Sequence, residues 1–169
     1  MSGPSRALVV GLGSCDRADD GVGPVVAARV AEAAAERGLT CTRVVAHEDP
    51  TALVDLLEAG DEDGPATMVV VDAVRSQSAP GTVIVLEVGT SEPDAAALAV
   101  NLDPGPAGTH GFGLAGAVEL ARVLDRLPPH VVVVGVEAQH FEHGQPMSAP
   151  VTDALPAAVA AVLAALPPG

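Results

Sequence analysis

Short apolar runs alternate with longer, helix-length stretches along this chain, and glycines or prolines mark many of the boundaries. The continuous run Met-Val-Val-Val within 67–72 is typical of a strand buried on both faces of a parallel sheet. A first helix is expected from Gly23 or Pro24 to Arg37, because proline suits a first helical turn and Gly38 suits the position just past the end. The predicted strands are 7–11, 40–46, 67–72, 82–88 and 130–136, and the other predicted helices are 50–58, 111–127 and 150–166.

The connection between the third and fourth predicted strands decides the sheet's topology. It holds only nine residues, 73–81, whereas a parallel crossover needs a dozen or more. Strand 4 must therefore run antiparallel to strand 3 or leave the sheet. We predict an α/β fold, a three-layer α/β/α sandwich with a five-stranded, mostly parallel sheet and strand 4 antiparallel. With 169 residues and no internal repeat or linker, residues 1–169 are expected to form one domain.

The amino-acid composition limits the kind of core, the binding partners and the cellular compartment that can be expected. The hydrophobic residues are mostly Ala, Val and Leu, with two Phe and no Tyr or Trp, so the core must be aliphatic. A formal charge of −14 with only eight basic residues argues against nucleic-acid binding. No run reaches the roughly 20 apolar residues of a membrane span, and no secretory signal is recognisable at the start. Two cysteines form no disulfide framework, so we expect a cytoplasmic protein.

The loop after the first strand is the most informative segment. A strand, a glycine loop and a helix begin a parallel α/β sheet, in which ligands bind at the carboxyl ends of the strands. Dinucleotide-binding loops offer glycines and backbone N–H groups to pyrophosphate there. This loop instead carries Asp16, Asp19 and Asp20, and Asp16 stands where the third glycine of G-x-G-x-x-G would be. The loop therefore favours a cation or proton transfer over a phosphate.

Three chemically active residues fall at the ends of predicted elements: Asp20 after strand 1, Asp72 closing strand 3, and His110 at the start of a helix. Two carboxylates and one imidazole can bind a divalent ion that keeps open coordination positions. Each residue alone also has a structural interpretation, since aspartates often cap strands and a single histidine before a helix often serves packing.

The same segments resemble the hydrogenase maturation endopeptidases, which trim the C-terminus of the large subunit of nickel–iron hydrogenases. The sequence GLG at 11–13 and DDGVG at 19–23 match that family's G-x-G-N and its acidic pair followed by G-x-G, with Ser14 in place of Asn. VVDAV at 70–74 with the later turn APG at 79–81, and THGFGL at 109–114, match its second acid and its histidine. VGVE at 134–137 and Leu155-Pro156 extend the resemblance over nearly the whole chain.

The resemblance implies both an activity and a site. It implies a metal-dependent, aspartyl-type endopeptidase in which Asp20, Asp72 and His110 are the catalytic residues and the metal ligands. The divalent metal would be nickel supplied by the substrate, and the partner would be the large-subunit precursor, whose C-terminal extension is removed. One departure lies after strand 2, where the family often has D-G-G-T and this chain has HEDPT at 47–51.

Several alternatives stay open. Cys15 could act as a nucleophile, although its acidic and polar neighbours would raise the thiol pKa where catalysis needs it lowered. His47 and Glu48 could add ligands or be solvated loop residues, and His140 and His143 could form a second site or lie in a solvated loop. Another metal-assisted hydrolase on the same scaffold, or a non-catalytic nickel-handling partner of a hydrogenase, are the rival functions.

Overall fold

Five strands form a single sheet in the computed structural model, which describes residues 6–40, 42–57, 64–88 and 113–168. The strands are β1 (Ala7–Leu12), β2 (Thr42–His47), β3 (Thr67–Val74), β4 (Val83–Val88) and β5 (His130–Glu137). The helices in the described ranges are α1 (Val22–Glu36), α2 (Ala52–Leu56), α3 (Leu114–Val123) and α4 (Ala149–Ala165), and a 3₁₀ turn at Ala18–Gly21 precedes α1. Over these ranges no helix has both the length and the apolar character that a membrane crossing requires.

The strand order is β2-β1-β3-β5-β4, and β4 runs against the other four strands. The prediction for strand 4 is therefore confirmed, and its hydrogen-bonding partner is β5. The short connection makes a tight return beside the end of β5: the N–H of Gly81 donates to the carbonyl of Glu137 at 2.8 Å, and the N–H of Glu137 donates to the carbonyl of Thr82 at 2.9 Å. A hairpin-like return of this kind leaves no room for the crossover that a parallel strand needs.

Helices cover both faces of the sheet, which confirms the three-layer prediction. Alternate strand residues such as Val9 and Val71 pack with α1 and α4, while their neighbours, such as Val10 and Val70, pack with α2 and α3. This two-sided burial is why β1, β3 and β5 are continuous apolar runs. The two core clusters are built from valine, leucine and alanine with a single buried methionine, Met68, as the composition predicted.

The predicted ends of the elements differ from the observed ends by a few residues. β2 begins at Thr42 because a turn through Gly38, whose φ is 69°, occupies the preceding residues. β3 continues to Val74 because its last two residues pair with the end of β5. The helix predicted at 50–58 is observed over Ala52–Leu56. The predicted start of the helix at 111 lies outside the described residues.

The order of the strands creates a position at the carboxyl edge of the sheet where a ligand can bind. From β1 the chain crosses to β2 on one side, and the next strand, β3, lies on the other side of β1. Loops at the carboxyl ends of β1 and β3 therefore diverge, and in open α/β sheets ligands bind at such a point.

Candidate functional site

Glycines allow the first turn of α1 to press against the carboxyl ends of β1 and β3. A Cβ atom on Gly23 would lie 2.1 Å from the carbonyl oxygen of Leu12 and 2.7 Å from that of Val71. A Cβ atom on Gly11 would lie 2.3 Å from the carbonyl oxygen of Gly23. The G-x-G and G-V-G sequences thus serve a close backbone approach, which brings the loop between them over the sheet edge.

Asp20 lies in the 3₁₀ turn that this loop forms. Its Oδ2 accepts a hydrogen bond from the N–H of Ser14 at 3.0 Å, and the guanidinium of Arg17 is 4.0 Å away. Gly13, with a φ of 126°, passes so close that a Cβ there would be 1.9 Å from the carbonyl oxygen of Asp20. The side chain of Asp20 remains 18% exposed, so its carboxylate is held in place and still open to solvent.

Asp72 lies near the end of β3, opposite Gly135 of β5. Strand alternation puts it on the same face as Met68 and Val70, the face covered by α2 and α3. Burial is the main reason that the pKa of Asp72 lies well above its ordinary value, and the negative charge of Asp20 raises it further. A hydrogen bond from the backbone of Ala73 lowers the pKa by a smaller amount. Asp20 and Asp72 are thus near neighbours that repel each other when both are ionised, and a cation between them would relieve that repulsion.

Asp19, the first residue of the acidic pair, has a different environment from Asp20. It is fully buried and accepts four hydrogen bonds: from the N–H groups of Gln139, His140 and Ser148 at 2.8, 3.2 and 2.7 Å, and from the Ser148 hydroxyl at 2.9 Å. Burial alone would raise the pKa of Asp19, but these hydrogen bonds outweigh it and lower the pKa. Asp19 therefore ties the loop after β1 to the loop after β5 and to the start of α4.

Sequence reasoning gave Asp19 no role separate from that of its neighbour. Its partners are 120 to 129 residues away along the chain, so no local pattern could reveal them. The same is true of Glu137, whose buried carboxylate accepts hydrogen bonds from the N–H of Ser76 at 2.8 and 3.1 Å and from its hydroxyl at 2.6 Å. The two carboxylates fix the loops that follow β5 and β3 respectively.

The remaining candidate residues fall into two groups. Cys15, which is a free thiol, and His47, Glu48 and His143 are all exposed. His140 is half-buried, and its ring Nδ1 is enclosed without a hydrogen-bond partner among the described residues. The loop at 137–149 is thus not wholly solvated, because the backbone of His140 exchanges hydrogen bonds with Asp19.

The predicted triad is described only in part. Asp20 and Asp72 lie at the same sheet edge, whereas His110 lies outside the described residues. Within 6–40, 42–57, 64–88 and 113–168, no three His, Cys, Asp or Glu side chains form a group that could hold a metal ion.

Comparison with known proteins identifies the class of molecule. The family model for hydrogenase maturation proteases (HycI) matches residues 48–165, so the chain belongs to the hydrogenase maturation protease family. The matched range includes Asp72 and His110, and the loop with Asp20 precedes it. No curated protein matches the chain.

Solved structures share this fold. The hydrogenase maturating endopeptidase HybD of Escherichia coli superposes with a TM-score of 0.71 at 21% identity, over 95% of this chain and 91% of that one. An endopeptidase of Escherichia coli solved in solution gives a TM-score of 0.69 at 26% identity, with the same shares covered. A hydrogenase 2 maturation peptidase from a Thaumarchaeota archaeon gives 0.61 at 24% identity, over 95% of this chain and 97% of that one.

Proposed function

We propose that this protease removes the C-terminal extension of a nickel-loaded large-subunit precursor of a nickel–iron hydrogenase. The observation that carries the proposal is the pair Asp20 and Asp72, two carboxylates held near each other at the sheet edge where β1 and β3 diverge. Ionising Asp72 is costly in the absence of a cation, because the group is buried and lies near the negative charge of Asp20. Substrate-borne nickel would supply the missing positive charge.

We infer that His110 completes the ligand set with Asp20 and Asp72. Support comes from α3, which begins at Leu114, four residues after His110, and packs on the face of β3 that carries Asp72. α3 leads to the start of β5, so its first turn is directed toward the carboxyl edge of the sheet. Two carboxylate oxygens and one imidazole nitrogen leave coordination positions for ligands from the precursor.

In this mechanism the protein's own groups bind the cation, hold the ligands in position and release a proton. Asp72 must lose its proton to bind a cation, so binding releases a proton in the pH range where the raised pKa keeps Asp72 protonated. The Ser14 N–H holds the Asp20 carboxylate in position. Nickel held by these residues would polarise the scissile carbonyl or activate a water molecule.

The test is to incubate purified nickel-loaded and metal-free precursor with the protease and to measure intact mass. We expect only the nickel-loaded precursor to be shortened, and the isolated C-terminal peptide to remain intact with or without added zinc. Asp20→Ala and His110→Ala should abolish processing while circular dichroism stays unchanged. Cys15→Ser, a change at an exposed thiol in the same loop, should keep full activity.

Three outcomes would contradict this proposal. Equal trimming of metal-free precursor would point to another kind of hydrolase. Binding of the nickel-loaded precursor without any mass change would point to a non-catalytic nickel-handling partner. Loss of activity in Cys15→Ser alone would make the thiol the nucleophile.

A further inference from the structure

Cationic side chains are scarce at the carboxyl edge of the sheet. The chain has eight arginines and no lysine against 22 acidic residues. Of these arginines, only Arg17 and Arg75 lie in loops that directly follow strands at this edge, after β1 and β3 respectively. Arg17 is directed toward Asp20, at 4.0 Å. Arg75 is therefore the cation at this edge that can interact with something other than the proposed metal ligands.

Arg75 is fixed from two sides although it is exposed. Its guanidinium lies over the ring of Phe141, with its central carbon 4.7 Å from the ring centroid. The next residue along the chain, Ser76, is bound through its N–H and its hydroxyl to the buried carboxylate of Glu137. Within the described ranges, no carboxylate lies within salt-bridge distance of Arg75. Among the described residues, its position is therefore set by Phe141 and the neighbouring backbone, without an ionic partner.

The aromatic platform is itself anchored to the site. Phe141 directly follows His140, whose N–H donates to the buried carboxylate of Asp19. Asp19 is adjacent to Asp20, and Arg75 is three residues after Asp72, about 10 Å along an extended strand. The backbone at Arg75 thus lies close to that of Asp72, and the loop with Phe141 is tied to the loop with Asp20.

We propose that Arg75, supported by Phe141, binds a carboxylate in the C-terminal extension of the precursor and thereby helps to select the substrate. This inference rests on the proposed function, because it assumes that a polypeptide extension reaches this edge. A guanidinium that lies over an aromatic ring keeps the N–H donors that face away from the ring available, and these match a carboxylate in a bidentate geometry. The carboxylate is either an acidic side chain of the extension or its terminal α-carboxylate.

The first test compares steady-state processing of the nickel-loaded precursor by variants at this position. Arg75→Gln should raise KM roughly tenfold and leave kcat within about twofold, because the interaction is made equally in the ground and transition states. Arg75→Lys should restore part of the loss, since it keeps the charge and loses the bidentate geometry. Phe141→Leu should raise KM by a smaller factor, because the cation remains but its platform is removed.

A matched control is Arg43→Gln. Arg43 is also exposed, and it lies near the start of β2, at the opposite edge of the sheet. The same change in net charge there should leave KM unchanged, which separates a local contact from general electrostatic attraction.

The second test identifies the source of the carboxylate. Each acidic residue of the extension is changed to its amide, and a semisynthetic precursor carries a C-terminal carboxamide. The true partner is the carboxylate whose neutralisation raises KM for the wild-type protease and has no further effect on Arg75→Gln. If Arg75→Gln leaves KM unchanged, or if no neutralised precursor shows this coupling, the inference is wrong.

If the proposed function itself is wrong, the experiment gives a different result from the one that refutes the role of Arg75. In that case the wild-type protease leaves the nickel-loaded precursor uncut, and the same variants are compared by equilibrium binding of that precursor. A roughly tenfold weaker binding by Arg75→Gln, with Arg43→Gln unchanged, would still support the carboxylate contact, and equal binding would refute it.

Discussion

At the scale of single residues, adjacent aspartates in one loop have opposite tasks. Asp19 is buried, accepts four hydrogen bonds and has a lowered pKa, so its ionised form stabilises the fold. Asp20 is partly exposed and accepts one hydrogen bond from the Ser14 backbone. The acidic pair therefore combines a structural anion with an anion that remains available for a cation.

Asp19→Asn should destabilise the protein by about 2–3 kcal/mol at neutral pH. An amide keeps one acceptor oxygen and brings an NH₂ group against backbone N–H donors, which leaves buried donors unsatisfied. Urea unfolding followed by circular dichroism measures the change, with the exposed Asp16→Asn as the control for net charge. The folded pKa of Asp19 lies below the ordinary value of 3.8, so its contribution is complete above about pH 4 and is lost as the pH falls further. A difference from wild type that persists or grows in acid would contradict this assignment.

At the scale of elements, the glycines determine how α1 meets the sheet. Gly23 and Gly11 leave no space for a side chain between the first turn of α1 and the ends of β1 and β3. This contact positions the 3₁₀ turn that carries Asp20. The loop geometry is consequently a property of the strand–helix junction and not of the acidic residues alone.

Gly23→Ala should destabilise the fold by about 1–3 kcal/mol, because the new methyl group would meet backbone atoms that cannot rotate away. Thermal unfolding measures this, and processing of the nickel-loaded precursor should fall as the turn with Asp20 is displaced. Gly113→Ala is the comparison variant: among the described residues no atom lies within 4 Å of the added Cβ, so only the lower preference for alanine at this helix N-cap should count, at about 0.5–1 kcal/mol. Equal stability of the two variants would show that the junction can relax.

The element scale also shows what could be predicted from the sequence. The buried runs of β1, β3 and β5 were predictable because a strand covered on both faces must be apolar throughout. The direction of β4 was predictable because its connection is short. The anchoring of residues 139, 140 and 148 by Asp19 was not predictable, and neither was the contact of Arg75 with the ring of Phe141, since each joins residues that are far apart in the chain.

At the scale of the whole molecule, the proposed site reduces the stability of an already strongly acidic protein. Many carboxylates are solvated on the surface, where repulsion is screened by salt. Asp72 is different, because burial and the nearby Asp20 both disfavour its ionised form. Ionising Asp72 in the folded protein therefore costs stability, which is consistent with a residue retained for binding a cation.

Asp72→Asn should make the metal-free protein more stable near neutral pH while abolishing precursor processing. The folded pKa of Asp72 lies above its ordinary value of 3.8, so the carboxyl group carries no ionisation cost below about pH 4 and an increasing cost as the pH rises toward the folded pKa. The melting temperature of the variant should therefore exceed that of wild type by roughly 2–4 °C at neutral pH. This is the change that about 1 kcal/mol makes in a domain of this size. The difference between the two melting temperatures should shrink in acid. Asp153→Asn, at an exposed position on α4, controls for the change in net charge and should give a smaller gain in melting temperature.

Because a ligand that binds only the folded state stabilises it, added nickel should raise the melting temperature of wild type and not that of Asp72→Asn. An Asp72→Asn protein that melts below wild type without metal would mean that Asp72 is a structural anion, like Asp19, and would remove the main support for a cation at this edge.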